Sequence, residues 1–176
     1  MNLSYSSGFE SKWVGTAGFE ASNDPHVVLV SGWLGGGLGL TAYDPAARVG
    51  GLLHAPLSDS RTDEQRSRVR PALFVDTGLP ALFEAMSRLG AEESRLQICL
   101  AGGARLPGSG ASVAPGHGMF PAAIRALAQH HLTPRIQHLA ASWDCRCSLE
   151  VATGEVRLNF SGRTGMTVLW KSSTAT

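Results

Sequence analysis

His26–His54 reads HVVLVSGWLGGGLGLTAYDPAARVGGLLH, and the fold is decided in this stretch. His26–Ser31 is a β-branched run without polar interruption, as in a strand buried on both faces. A turn of Gly35, Gly36 and Gly37 follows. Leu38–Tyr43 (LGLTAY) resumes as a strand, Asp44–Ala47 (DPAA) turns, and Val49–His54 (VGGLLH) forms a third strand that ends on a histidine. With Gly39 added, the glycines leave almost no side chains inside the first turn. Whatever happens there falls to backbone amides, or to space.

Working outward, residues 1–12 are small and polar and predict a loose arm. Trp13–Glu20 (WVGTAGFE) predicts one short strand, and Ser22–Pro25 (SNDP) a turn. Ala55–Arg70 predicts an exposed loop of the kind that borders functional sites. Pro71–Leu89 predicts a helix, with Leu79, Leu82, Phe83 and Met86 at helical spacing and Gly90 as the stop. Arg95–Leu100 is a strand, and Leu106–Gly118 a second loop rich in Gly, Ser and Pro. Met119–His131 is a helix with its apolar stripe at Phe120, Ile124 and Leu127. Arg135–Ala140 is a strand, and Cys147–Ala152 and Glu155–Phe160 form a hairpin around Thr153-Gly154. The fold class expected is a single α+β domain over residues 1–176. It has layered mixed and antiparallel sheets with flanking helices, and flexible ends at 1–12 and 172–176.

Bulk properties narrow the function. The chain has 176 residues, 43% hydrophobic and 16% charged, with a net charge of +1. That balance gives no electrostatic case for nucleic acid or an anionic membrane. The basic stretch Arg61–Arg70 is interleaved with Asp63 and Glu64 and reads as a solvated face. No apolar run approaches the roughly 18 residues of a membrane span, so membrane insertion is not expected. The first residues lack the basic-then-apolar pattern of a secretory leader. Three cysteines, Cys99, Cys145 and Cys147, make no disulfide framework, and a reducing cytoplasm is the expected setting.

Several chemical readings compete at this level. The glycine turn invites phosphate, but a phosphate loop opens a helix and here a strand follows with no lysine. Cys99 lies on a strand whose alternation points it into the core, where free cysteine is inert packing. Cys145 and Cys147 share one side of a strand, yet without a second pair they make a weak metal site. His117, His130, His131 and His138 make no better one. His130 and His131 instead sit at a helix end, where they complement the dipole. Neither a cofactor nor a metal is called for.

Read in order, a set of short motifs resembles the CheD family of chemoreceptor glutamine deamidases. They are Gly15-Thr16-Ala17-Gly18-Phe19-Glu20, Asp24-Pro25, Leu34-Gly35, Asp44-Pro45, Val49–His54, Leu57-Ser58-Asp59-Ser60, Val75-Asp76-Thr77, Leu89-Gly90-Ala91, Arg95-Leu96, Ala101-Gly102-Gly103-Ala104 and Thr153-Gly154. The resemblance runs from about Val14 to Phe160 and rests on order and spacing, since no single piece is specific. It implies packed β layers with helices outside, related to the catalytic domain of bacterial cytotoxic necrotizing factors. In that family a cysteine thiolate attacks a receptor glutamine's carboxamide, a histidine takes the thiol proton, and an upstream threonine orients the histidine.

Carried over by position, the histidine is His54 and the orienting hydroxyl is Ser31. The nucleophile's position is Gly37, because a family Gly-Ser-Cys loop is written Gly35-Gly36-Gly37 here. Other family positions have changed as well. The Asn before the second helix falls on Met119, a later Gly-Gly falls on Ala140-Ala141, and Trp33 replaces a small residue. The resemblance therefore implies a catalytically impaired member. It would bind, through the loop of Trp33, Gly35 and Gly36, the cytoplasmic region of a methyl-accepting chemoreceptor or a CheC-type phosphatase. The competing expectation is an active deamidase using a non-standard nucleophile or a water activated by His54.

Overall fold

The computed structural model describes residues 8–102, 118–139 and 144–172. Gly103-Ala104, nearly all of the loop expected at Leu106–Gly118, His117, Ala140-Ala141 and the two chain ends lie outside these residues.

Ten strands form two five-stranded sheets. The first contains β1 (Glu10–Val14), β3 (Val27–Ser31), β8 (Cys145–Glu150), β9 (Glu155–Phe160) and β10 (Thr167–Trp170), in the order β1-β3-β8-β9-β10. The second contains β2 (Gly18–Ser22), β4 (Leu38–Asp44), β5 (Val49–Ala55), β6 (Gln97–Gly102) and β7 (Pro134–Leu139), in the order β2-β5-β4-β6-β7. Pairing is antiparallel except for β1 with β3 and β6 with β7. Among the described residues the α-helices are α1 (Glu64–Val69), α2 (Val75–Ser87) and α3 (Met119–Gln129), with short 3-10 turns at Ser60–Thr62, Pro71–Leu73 and Glu93–Arg95.

The second sheet is the middle layer, which explains its fully buried central strands. Every residue of β4 and β5 is buried. Leu38, Leu40, Leu53 and Ala55 face the helices, with Leu79, Leu82, Met86 and Leu127. Alternate residues, Tyr43 and Leu52 among them, face the first sheet with Leu29, Cys147 and Leu149. Gly51 brings α2 close, since a Cβ there would fall 2.5 Å from Met86 Sδ. One carboxylate pins the edge of this layer. The fully buried side chain of Asp44 pairs with Arg95 at 2.7 Å and accepts the N–H groups of Ala46, Ala47 and Glu92.

Four details depart from the sequence reading. The single strand expected at Trp13–Glu20 is two strands in different sheets, separated by a turn with Ala17 at φ 57°. Strand β1 begins at Glu10, within the stretch read as a loose arm, because it pairs along β3. The loop expected at Ala55–Arg70 contains α1, capped by the Asp63 carboxylate on Arg66 N–H. Strand β10 was not anticipated; it pairs with β9.

Candidate functional site

The motif residues converge where β3 ends, β4 begins and β5 ends. Gly39 and His54 are cross-strand partners, so both project toward the first sheet. The imidazole of His54 is 1% exposed and lies against Gly32, the residue after β3. Its Nδ1 is buried with no hydrogen-bond partner. Burial pushes its pKa below the ordinary imidazole value, and the nearby Asp144 carboxylate offsets this in part. His54 is therefore neutral near pH 7, the state a general base requires. Its backbone carbonyl accepts the N–H of Ala17 at 2.9 Å, tying the β1–β2 turn to the site.

The glycine turn is open beside Gly35 and crowded by backbone at Gly37. Gly35 adopts φ 54°, and its N–H donates to Asp144 Oδ1 at 2.7 Å. Leu34 N–H donates to the Cys145 carbonyl at 2.9 Å, and Gly37 N–H to the Leu34 carbonyl at 2.8 Å. A Cβ on Gly37 would stand 2.9 Å from the Ala55 carbonyl oxygen, 3.0 Å from that of Leu34 and 3.3 Å from Pro56 Cα. The Gly37 carbonyl in turn abuts Gly102, whose φ of 122° and lack of a side chain admit it. At the position the resemblance assigns to a nucleophile, a Cβ is accommodated only if the surrounding backbone shifts.

Ser31 is buried at the end of β3, and its hydroxyl is engaged elsewhere than His54. It accepts the backbone N–H of Cys147 at 3.0 Å, stands 3.6 Å from Cys147 Sγ and donates to the Gly32 carbonyl at 2.8 Å. The three thiols are buried between the sheets. Burial pushes Cys99 and Cys145 up to about 12 and Cys147 up to about 11, so all three remain protonated thiols. Among the described residues, no group of His, Cys, Asp or Glu side chains is arranged to hold a metal. His130 sits at the end of α3, bonded to Glu93 at 2.8 Å and edge-on to Phe83.

The remaining candidates, Trp33 and Gly36, lie on the same turn, Trp33 at the surface and Gly36 half-buried. The residues missed from sequence are Asp144, Arg146 and Cys147 in its contact with Ser31. They reach the turn from 109 or more positions away. No local pattern announces them.

The amino-acid sequence that builds this site is similar to those of known proteins. A family model described as CheD chemotactic sensory transduction matches residues 56–160, beginning two residues past His54. A probable chemoreceptor glutamine deamidase CheD of Symbiobacterium thermophilum is 33% identical over 153 residues, covering 85% of this chain and 92% of that protein. A CheD 1 of Syntrophus aciditrophicus, also named a probable chemoreceptor glutamine deamidase, is 40% identical over 93 residues. One of Solibacter usitatus is 43% identical over 93 residues. Those two matches cover 53% of this chain and 58% and 55% of the respective relatives. The chain belongs to the CheD family of chemotaxis proteins. Among the described residues, no helix is long and apolar enough to cross a membrane.

Proposed function

We propose that this chain acts by binding the cytoplasmic region of a chemoreceptor, with glutamine deamidation impaired. The observation that carries this reading is the crowding at Gly37, where a Cβ would stand 2.9 Å and 3.0 Å from the carbonyl oxygens of Ala55 and Leu34. Covalent amide hydrolysis needs an attacking thiolate beside a base. The thiols present are buried, protonated and engaged in the inter-sheet core. Relatives named as chemoreceptor glutamine deamidases supply the class of partner. The same scaffold would serve a CheC-type phosphatase as partner, and the compartment for either is the cytoplasm.

A second reading is favoured by His54 alone. A neutral imidazole with an unpartnered Nδ1 would take a proton from water as that water attacks the carboxamide carbon. The imidazolium would return that proton to the departing nitrogen, releasing ammonia and leaving glutamate. This route forgoes the covalent intermediate and is slow.

The test is to incubate the protein with chemoreceptor cytoplasmic fragments, following complex formation by sedimentation and glutamine conversion by mass spectrometry. A complex with unchanged glutamines supports the first reading. Conversion that disappears in His54→Ala supports the second. Neither complex nor conversion overturns both.

A further inference from the structure

Arg146 stands between two tryptophans. Its guanidinium carbon lies 4.1 Å from the Trp33 ring centroid and 5.5 Å from that of Trp13. The three side chains come from β1, the segment after β3, and β8. Since Cys145 and Cys147 face the inter-sheet core, Arg146 between them faces outward.

This grouping is incomplete in two ways. Trp13 is 53% exposed and Trp33 41%, so two large rings stand half in water. Stacking on rings occupies the faces of a guanidinium and leaves its in-plane N–H donors. Arg146 has no ion pair among the described residues, and its Nε is buried without an acceptor. A partner that completes the group must bring an oxygen anion to the Nη groups at the end of the guanidinium, since the buried Nε is out of its reach, and apolar surface over the rings. An Asp or Glu carboxylate fits the fork, in a polypeptide whose neighbouring side chains cover the tryptophans. Trp and Arg are also the residue types that dominate binding energy at protein interfaces.

We propose that Trp13, Arg146 and Trp33 form a docking surface for an acidic segment of a polypeptide partner. The proposal rests on the chemoreceptor-binding reading and deepens it by naming the face that makes contact. The surface is coupled to the glycine turn. Leu34 and Gly35, directly after Trp33, are hydrogen-bonded to Cys145 and Asp144, directly before Arg146. A segment seated on the stack therefore runs beside Gly35–Gly37.

The test measures fluorescence anisotropy with two labelled probes, a chemoreceptor cytoplasmic fragment and a synthetic Glu-rich amphipathic helix. Arg146→Gln and Trp33→Ala are expected to weaken binding of both probes by about tenfold or more, as for central interface residues. Arg146→Lys recovers only part of the loss, because it keeps the charge and not the planar fork. Arg88→Gln, an exposed charge capping the end of α2, leaves binding within about twofold, as residues outside an interface's centre do. If the receptor fragment binds and Arg146→Gln and Trp33→Ala do not alter it, the docking surface is rejected and the receptor-binding reading survives. If only the acidic helix binds, through Arg146, the surface stands and the receptor reading falls. Binding of neither probe rejects both.

Discussion

The Ser31 hydroxyl accepts the backbone N–H of Cys147 at 3.0 Å, across 116 residues of chain. This bond joins β3 to β8 inside the inter-sheet core and leaves His54 Nδ1 without a partner. The hydroxyl to which the resemblance assigns the orienting of a histidine holds two strands together here. Removing it with Ser31→Ala would orphan a buried N–H and cost about 1–3 kcal/mol. Chemical denaturation checks this, and the account expects a fall in stability with receptor binding retained.

Reintroducing sulfur at the turn is the direct challenge to the crowding argument. Gly37→Cys must push apart the Ala55 and Leu34 carbonyls that stand 2.9 and 3.0 Å from the new Cβ. Overpacking of this kind costs about 1–3 kcal/mol. The expected variant is less stable by thermal unfolding and still fails to convert receptor glutamines. Gain of conversion in Gly37→Cys would show that the turn opens readily.

The thiols should be silent in the native state. Burial holds all three protonated, with Cys147 at about 11 and the other two at about 12. Native protein incubated with iodoacetamide at pH 8 is expected to remain unlabelled, and denatured protein to take label at Cys99, Cys145 and Cys147. Rapid labelling of one native cysteine would reveal an accessible thiolate and reopen covalent catalysis.

His54 gives stability a pH dependence of definite sign. Its folded-state pKa lies below the ordinary 6.5, chiefly through burial. Between the two values the unfolded chain binds more protons than the folded one. Stability is therefore full above about 6.5 and falls as pH drops toward the folded-state value. The lowered pKa values of Asp44 and Glu155 act further down, below their ordinary 3.8 and 4.5. In both, burial raises the pKa and is more than offset: at Asp44 by hydrogen bonds from Arg95 and from the backbone N–H groups of Glu92, Ala47 and Ala46, and at Glu155 by the hydrogen bonds and charges of Lys171 and Arg157. Urea midpoints measured between about pH 7 and 5 should fall in the native protein and stay flatter in His54→Gln.

Asp44 anchors the middle layer. Asp44→Ala would strip Arg95 of its buried partner and leave the N–H groups of Ala46, Ala47 and Glu92 unanswered. A hydrogen bond to a charged group contributes about 1.5–3 kcal/mol, and this variant loses several at once. Differential scanning calorimetry should record the largest loss of stability among the variants described here.

Much of the middle layer was legible in sequence because its strands are long, apolar and bounded by glycine and proline turns. Leu38–Asp44 and Val49–Ala55 are buried on both faces and read as continuous runs. The edges were harder. Glu64–Val69 buries only Ser67, so no apolar stripe marks it as a helix. Thr167–Trp170 is four residues long and lies after a turn with no strong signal. Trp13–Glu20 alternates evenly enough to hide the break at Gly15–Ala17, where the chain passes from one sheet to the other. Within the site, His54 and the glycine turn were readable as motifs. Their surroundings were not, because Asp144, Arg146 and Cys147 reach them only through pairing of β8 with β3.

The central claim is that this scaffold binds without cutting an amide. The most direct measurement is high-resolution mass spectrometry of a chemoreceptor cytoplasmic fragment held with stoichiometric native protein, against a heat-unfolded control. The account predicts identical glutamine masses in the two samples. Conversion of a defined glutamine to glutamate by the native protein, lost in His54→Ala, would contradict it.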